Sequence, residues 1–133
     1  MALPTIVTVQ TALDQFRKQT AGVRCITVTD RDGVVVLRAP ESDDNTSSGV
    51  LTTIFSLLNV QSEKVKSLGS MNTVLSTFKE AYLLQIGMEV LVISIIADRD
   101  ANIGAIMALT PSLKELLQPT QHAVKRETEL TRG

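Results

Sequence analysis

The segment Val90–Ala97 holds seven apolar residues out of eight, interrupted only by Ser94. Strict alternation would mark a strand with one wet face. A near-continuous run of this length marks a strand covered on both faces. It is also far too short to span a bilayer. The chain therefore needs a sheet with this strand inside it and helices on either side. Two more β-rich segments, Thr73–Phe78 and Tyr82–Ile86, come just before it. The links Lys79-Glu80-Ala81 and Gly87-Met88-Glu89 are turn-sized, so these three strands are antiparallel neighbours.

The first half supplies the rest of the sheet. Val23–Thr29 and Val34–Arg38 flank Asp30-Arg31-Asp32-Gly33, a hairpin in which Gly33 can take a positive φ. Ahead of it, Val9, Leu13 and Phe16 form one stripe of a helix over Thr8–Thr20, which Gly22 stops. A second helix is expected over Gly49–Gln61. A last one runs over Asn102–Leu117, with Asn102 as its N-cap. Pro111 removes the hydrogen bond to the Met107 carbonyl, so a kink or short break is expected there, with Thr110 as a candidate cap for the second piece. The order α-β-β-α-β-β-β-α gives an α/β (α+β) fold, with five antiparallel strands in one sheet and helices on both faces. At 133 residues the chain suits one domain, placed at 1–118. Residues 119–133 are polar and are expected to form a disordered tail.

The middle helix and one strand carry the candidate site. In helical projection Leu57, Val50, Ile54, Leu58, Leu51 and Phe55 cover an arc of roughly 160°, wider than contact with a single surface needs. Either the whole arc is internal core, or Leu51, Phe55 and Leu58 face a partner. The strand Thr73, Val74, Leu75, Ser76, Thr77, Phe78 has no proline and no charge. At a sheet edge its backbone would template aggregation unless another chain covered it.

Signals of chemistry are weak. The net charge of −1 and 3% aromatic content disfavour nucleic-acid binding. Asp30-Arg31-Asp32-Gly33 lacks EF-hand spacing, and no phosphate-binding Gly-Lys loop is present. Cys25 reads as a buried, inert thiol, and His122 has no partner for a dyad or a metal site. No catalytic, cofactor-binding or metal-binding residues are assigned. Ala2 excludes the myristoylation motif and the C-terminus has no prenylation cysteine, so a membrane is expected only through partners.

Three stretches carry a family resemblance: Val28-Thr29-Asp30-Arg31-Asp32-Gly33-Val34, then Phe55-Ser56-Leu57 with Gln61 and Lys64, then Leu91-Val92-Ile93-Ser94 leading to Ala101-Asn102-Ile103-Gly104. Over Gly22 to Leu117 the chain resembles the roadblock/LC7 family, and within it the late endosomal and lysosomal adaptor subunits of Ragulator. It departs from them at Asp98-Arg99-Asp100, where small hydroxyl residues are the pattern. The resemblance implies a profilin-like fold with no enzymatic activity. It implies a heterodimer with a second roadblock-type subunit, joined through the third strand and the middle helix. It further implies other Ragulator subunits, Rag GTPases of the TORC1 pathway and MEK/ERK kinases as partners, on the cytosolic face of late endosomes and lysosomes. A dynein-type light chain is the nearest alternative. A small-ligand sensor is the alternative from another class, but no His, Cys or paired acids converge to support it.

Overall fold

A computed structural model describes residues 5–40, 54–57 and 72–132. Its elements are α1 (Thr5–Gln19), β1 (Val23–Asp30), β2 (Val35–Ala39), the helical residues 54–57 (α2), β3 (Thr73–Thr77), β4 (Ala81–Gly87), β5 (Leu91–Asp98), α3 (Ile103–Ala108), α4 (Thr110–Leu116) and α5 (Gln118–Arg132). The five strands form one sheet in the order β2-β1-β5-β4-β3, with every neighbouring pair antiparallel. β5 is central, as its composition requires, and Leu91 through Ile95 are buried without a break.

The two faces of the sheet differ in chemistry. Ile26, Ile95 and Leu84 form one cross-strand row, and Val28, Ile93 and Ile86 the next. This apolar face packs against Val9 and Leu13 of α1, Ile106 of α3, Leu113 of α4 and Leu117. The opposite face carries the buried row Thr27, Ser94 and Gln85. Gln85 Nε2 donates to Ser94 Oγ at 3.1 Å, which explains the one polar residue in the β5 run. Through this bond the Gln85 Nε2 group and the Ser94 hydroxyl meet each other's need for a partner away from water.

On that polar face α2 delivers Phe55, which is 1% exposed. The ring lies so close to Gly87 that a Cβ there would sit 2.7 Å from Phe55 Cζ. Gly87 reads in the sequence as a turn residue; it is the last residue of β4, and its missing side chain makes room for the ring. Arg31, from the β1–β2 turn, holds its guanidinium 5.5 Å from the Phe55 ring centroid and donates to the Met88 carbonyl. Burial lowers the Arg31 pKa from its ordinary value. The turn itself is built as expected: Gly33 has φ 93°, and the Asp30 carboxylate accepts from the Asp32 and Val34 amides at 2.8 and 3.0 Å.

The C-terminal third differs from expectation in two places. The break at Pro111 is present, with Pro111 in the first turn of the second piece, but Leu109 rather than Thr110 holds the cap position between α3 and α4. Asn102 caps α3 by accepting from the Ala105 amide at 3.0 Å. Residues 119–133, expected to be disordered, instead fall almost wholly within the helix α5. Thr120 is buried, and Val124 packs against the core. Gln121 Oε1 accepts from the Val90 amide at 3.0 Å, and Lys125 Nζ meets Glu89 Oε1 at 2.9 Å. Glu89 thereby raises the Lys125 pKa above its ordinary value. Two apolar-facing positions four residues apart were too faint a stripe to register in so polar a stretch.

Two predictions test these packing claims. Gly87→Ala should cost about 1–3 kcal/mol in urea unfolding, because the ring must shift. Adding Phe55→Leu to Gly87→Ala should give a combined loss smaller than the sum of the single losses, the signature of direct contact. Truncation after Leu117 should lower the melting temperature by roughly 2–8 °C, corresponding to about 1 kcal/mol, and differential scanning calorimetry would read it. Loss of a disordered tail would leave the transition where it was.

Candidate assembly edge

The sheet has two outer strands, β2 and β3, and they are finished differently. At β2, the Gln10 side chain of α1 donates from Nε2 to the Arg38 carbonyl. The same amide accepts from the Arg38 N–H at 3.4 Å through Oε1. One side chain thus fills the two hydrogen-bond positions that a neighbouring strand would take. The β1–β2 register also skips Val36, between the pairs Thr29↔Val35 and Val28↔Leu37. A side-chain plug and a bulge are both devices that blunt an edge against strand addition.

β3 has neither. Its register with β4 is unbroken from Thr73↔Ile86 to Thr77↔Tyr82. The Phe78 amide donates to Ala81 O at 2.9 Å, and the Gly87 amide donates to Asn72 O at 2.8 Å. Since hydrogen-bonded pairs alternate along an antiparallel ladder, Val74 and Ser76 bond inward to β4. The amides and carbonyls of Thr73, Leu75 and Thr77 therefore point away from the sheet. Among the described residues, β4 is the only strand paired with β3. Leu75 is 43% exposed and Phe78 49%, large values for apolar side chains on a strand without charge. Phe78 lies just past the strand end, one residue short of its expected place within it.

The open edge is fastened at one end. Arg99 Nη1 donates to the Phe78 carbonyl at 2.6 Å, and its guanidinium lies 5.0 Å from the Tyr82 ring centroid. Arg24 Nη2 donates to the Glu80 carbonyl at 3.0 Å while its Nε donates to Asp98. The Asp98-Arg99-Asp100 segment, where the sequence departs from the family pattern, thus ties the β3–β4 turn to the end of β5. An edge held in place in advance loses less freedom when another strand joins it.

Of the middle-helix residues expected to face a partner, Phe55 does not: it is sealed between Gly87 and Arg31. Leu57, 200° further round the helix, is 61% exposed instead. A ring that needs a glycine beneath it belongs to the core. Leu51 and Leu58 lie outside the described residues. Sequence reasoning also missed Gln10 and Arg99, whose roles depend on long-range contacts that no local pattern encodes. Cys25 is buried, and His122 is exposed on α5. Among the described residues no three His, Cys, Asp or Glu side chains gather as a metal site would require. What the edge offers is backbone hydrogen bonds and apolar surface.

The comparisons with known proteins agree with this architecture. Residues 7–124 match the family model described as mitogen-activated protein kinase kinase 1 interacting. The chain is 31% identical over 108 residues to Ragulator complex protein LAMTOR3-B of Xenopus laevis, covering 78% of this chain and 85% of that protein. It is 33% identical over 109 residues to Ragulator complex protein LAMTOR3 of Pagrus major, again covering 78% and 85%. The solved roadblock/LC7 domain from Streptomyces avermitilis superposes with a TM-score of 0.73 at 13% identity, over 86% of this chain and 96% of that one, which establishes the roadblock fold. With the family model spanning the chain from α1 into α5, this chain belongs to the mitogen-activated protein kinase kinase 1 interacting family.

Proposed function

We propose that this chain is a non-enzymatic scaffold subunit that joins a second roadblock-type subunit through the free edge of β3, as part of a Ragulator complex. The observation that carries the reading is the asymmetry of the two edges. Gln10 and the Val36 bulge close β2, whereas among the described residues nothing closes β3 at Thr73, Leu75 and Thr77. The relatives' names, Ragulator complex proteins, support the identity of the assembly. A stable pair buries roughly 1,600 Å² in total, more than five strand residues offer alone. The contact therefore extends over Leu75, Phe78 and the α2 side, where Leu57 is exposed. Such a subunit acts by position. It would sit at the cytosolic face of late endosomes and lysosomes through its partners, holding Rag GTPases for TORC1 signalling and kinases of the MEK–ERK pathway. No helix among the described residues is long and apolar enough to cross a membrane.

Leu75→Pro tests the pairing directly. Proline removes the outward N–H of residue 75 but none of the inward bonds to β4, so the free chain should keep a near-wild-type melting temperature. On co-expression with a second roadblock subunit, size-exclusion chromatography with light scattering should show a one-to-one complex for the wild type. The variant should bind at least 100-fold more weakly, about 2.7 kcal/mol. Unchanged affinity would remove β3 from the interface. Affinity purification with mass spectrometry separates the assemblies: Ragulator subunits and Rag GTPases are expected, and recovery of motor subunits in their place would favour a dynein-type light chain.

A further inference from the structure

The opposite end of the sheet carries a second surface that β3 pairing does not use. The start of β2 and residues 120–128 of α5 bound an open groove of about 650 Å³. Its floor is apolar, from Val34, Val35, Val36, Ala123 and Val124. Val34 is 61% exposed and Val35 37%. The charged residues lining it, Asp30, Asp32 and Glu127, are all acidic. Thr120 also lines it; only 4% exposed, it buries a hydroxyl that has no hydrogen-bond partner among the described residues. A buried hydroxyl without a partner is uncommon in a folded protein, and it leaves one hydrogen bond still to be made.

We propose that this groove docks an extended segment of a partner polypeptide that alternates apolar and basic side chains. Apolar side chains would cover the valine floor, basic ones would meet the acidic rim, and a backbone or side-chain polar group would satisfy Thr120. Gln10 leaves no room for a full added strand at Arg38, so the segment lies against the Val34–Val36 end and α5. The chain's own segment after Pro40, Glu41-Ser42-Asp43-Asp44, has the wrong charge for an acidic rim. Two of its lining residues, Glu127 and Thr128, lie beyond the last residue of the family match at 124.

The test uses the full chain, in complex with its partner subunit where it is purified that way, and two fluorescein-labelled ten-residue probes: one alternating Lys and Val, the other Glu and Val. Fluorescence anisotropy should show binding of the Lys–Val peptide that weakens as salt is raised, and at least tenfold weaker binding of the Glu–Val peptide. Amide resonances of Val34, Val35 and Ala123 should shift on titration. Glu127→Lys and Ala123→Arg, both at exposed positions, should each weaken binding at least tenfold, whereas Glu115→Lys on α4 should not. Thr120→Val should weaken the peptide several-fold while leaving the melting temperature of the free chain unchanged or higher. The proposal is overturned by equal binding of the two peptides, by no binding of either, or by shifts that map to β3. A lower melting temperature for Thr120→Val would show that the hydroxyl already has a partner within the chain. Binding seen only after deletion of residues 41–53 would make that segment the occupant instead. Because the readout lies at β2 and α5, failure here leaves the β3 pairing intact, and failure of β3 pairing leaves this groove to be judged separately.

Discussion

Burial of β5 on both faces is the condition from which the rest of the structure follows. A strand with Leu91, Val92, Ile93 and Ile95 all removed from water cannot sit at a rim or carry helices on one side only. β1 and β4 take its two edges, which pushes β2 and β3 outward. The helices must then divide between the faces. α1 and α3–α4 cover the apolar rows, and α2 covers the polar one with Phe55. Each outer strand is left with one set of backbone groups to satisfy, and the two outer strands meet that need by different routes.

That difference gives the sheet a direction. A lone Gln10 amide on β2 is a local answer, supplied by the helix that precedes the hairpin. Among the described residues nothing comparable reaches β3, although Arg99 and Arg24 hold its neighbouring turn firmly. An edge that is rigid and open is an unusual combination in a protein that stays monomeric, because edges of that kind pair with whatever strand they meet. The natural resolution is a dedicated partner strand. The proposed pairing would also account for the absence of charged residues in Thr73–Phe78, because a lysine that protected the free chain would repel or misalign an incoming strand.

Much of this was legible in the sequence, for physical reasons. The strands, the hairpin with Gly33, the Asn102 cap and the break near Pro111 are local effects, set by residues within a few positions of one another. The edge position of β3 was legible too, because turn-length links fix the order of the last three strands. Phe55 was misread because a helical projection gives the width of an apolar arc but not its phase. The glycine at residue 87, thirty-two positions away, decides which part of the arc faces inward. α5 was misread because its attachment is polar: Gln121 and Lys125 bind the β4–β5 turn with side chains whose composition alone suggests solvent.

The polar attachment of α5 also bears on how such a subunit can serve several partners at once. A helix anchored by an apolar stripe would have to cover Val34 and Val35 to be stable, which would close that end of the sheet. One anchored by Thr120 and Val124, with Gln121 and Lys125 reaching sideways to residues 89 and 90, is held without covering them. The strand edge at β3 and the valine surface at β2 lie at opposite ends of the five-stranded sheet, separated by β1, β5 and β4. Strand spacing of about 4.8 Å puts them roughly 19 Å apart, so a partner on one does not sterically exclude a partner on the other. For the scaffold role proposed above, that separation matters more than the strength of either contact, because two sites that overlapped would compete where both would need to be occupied together.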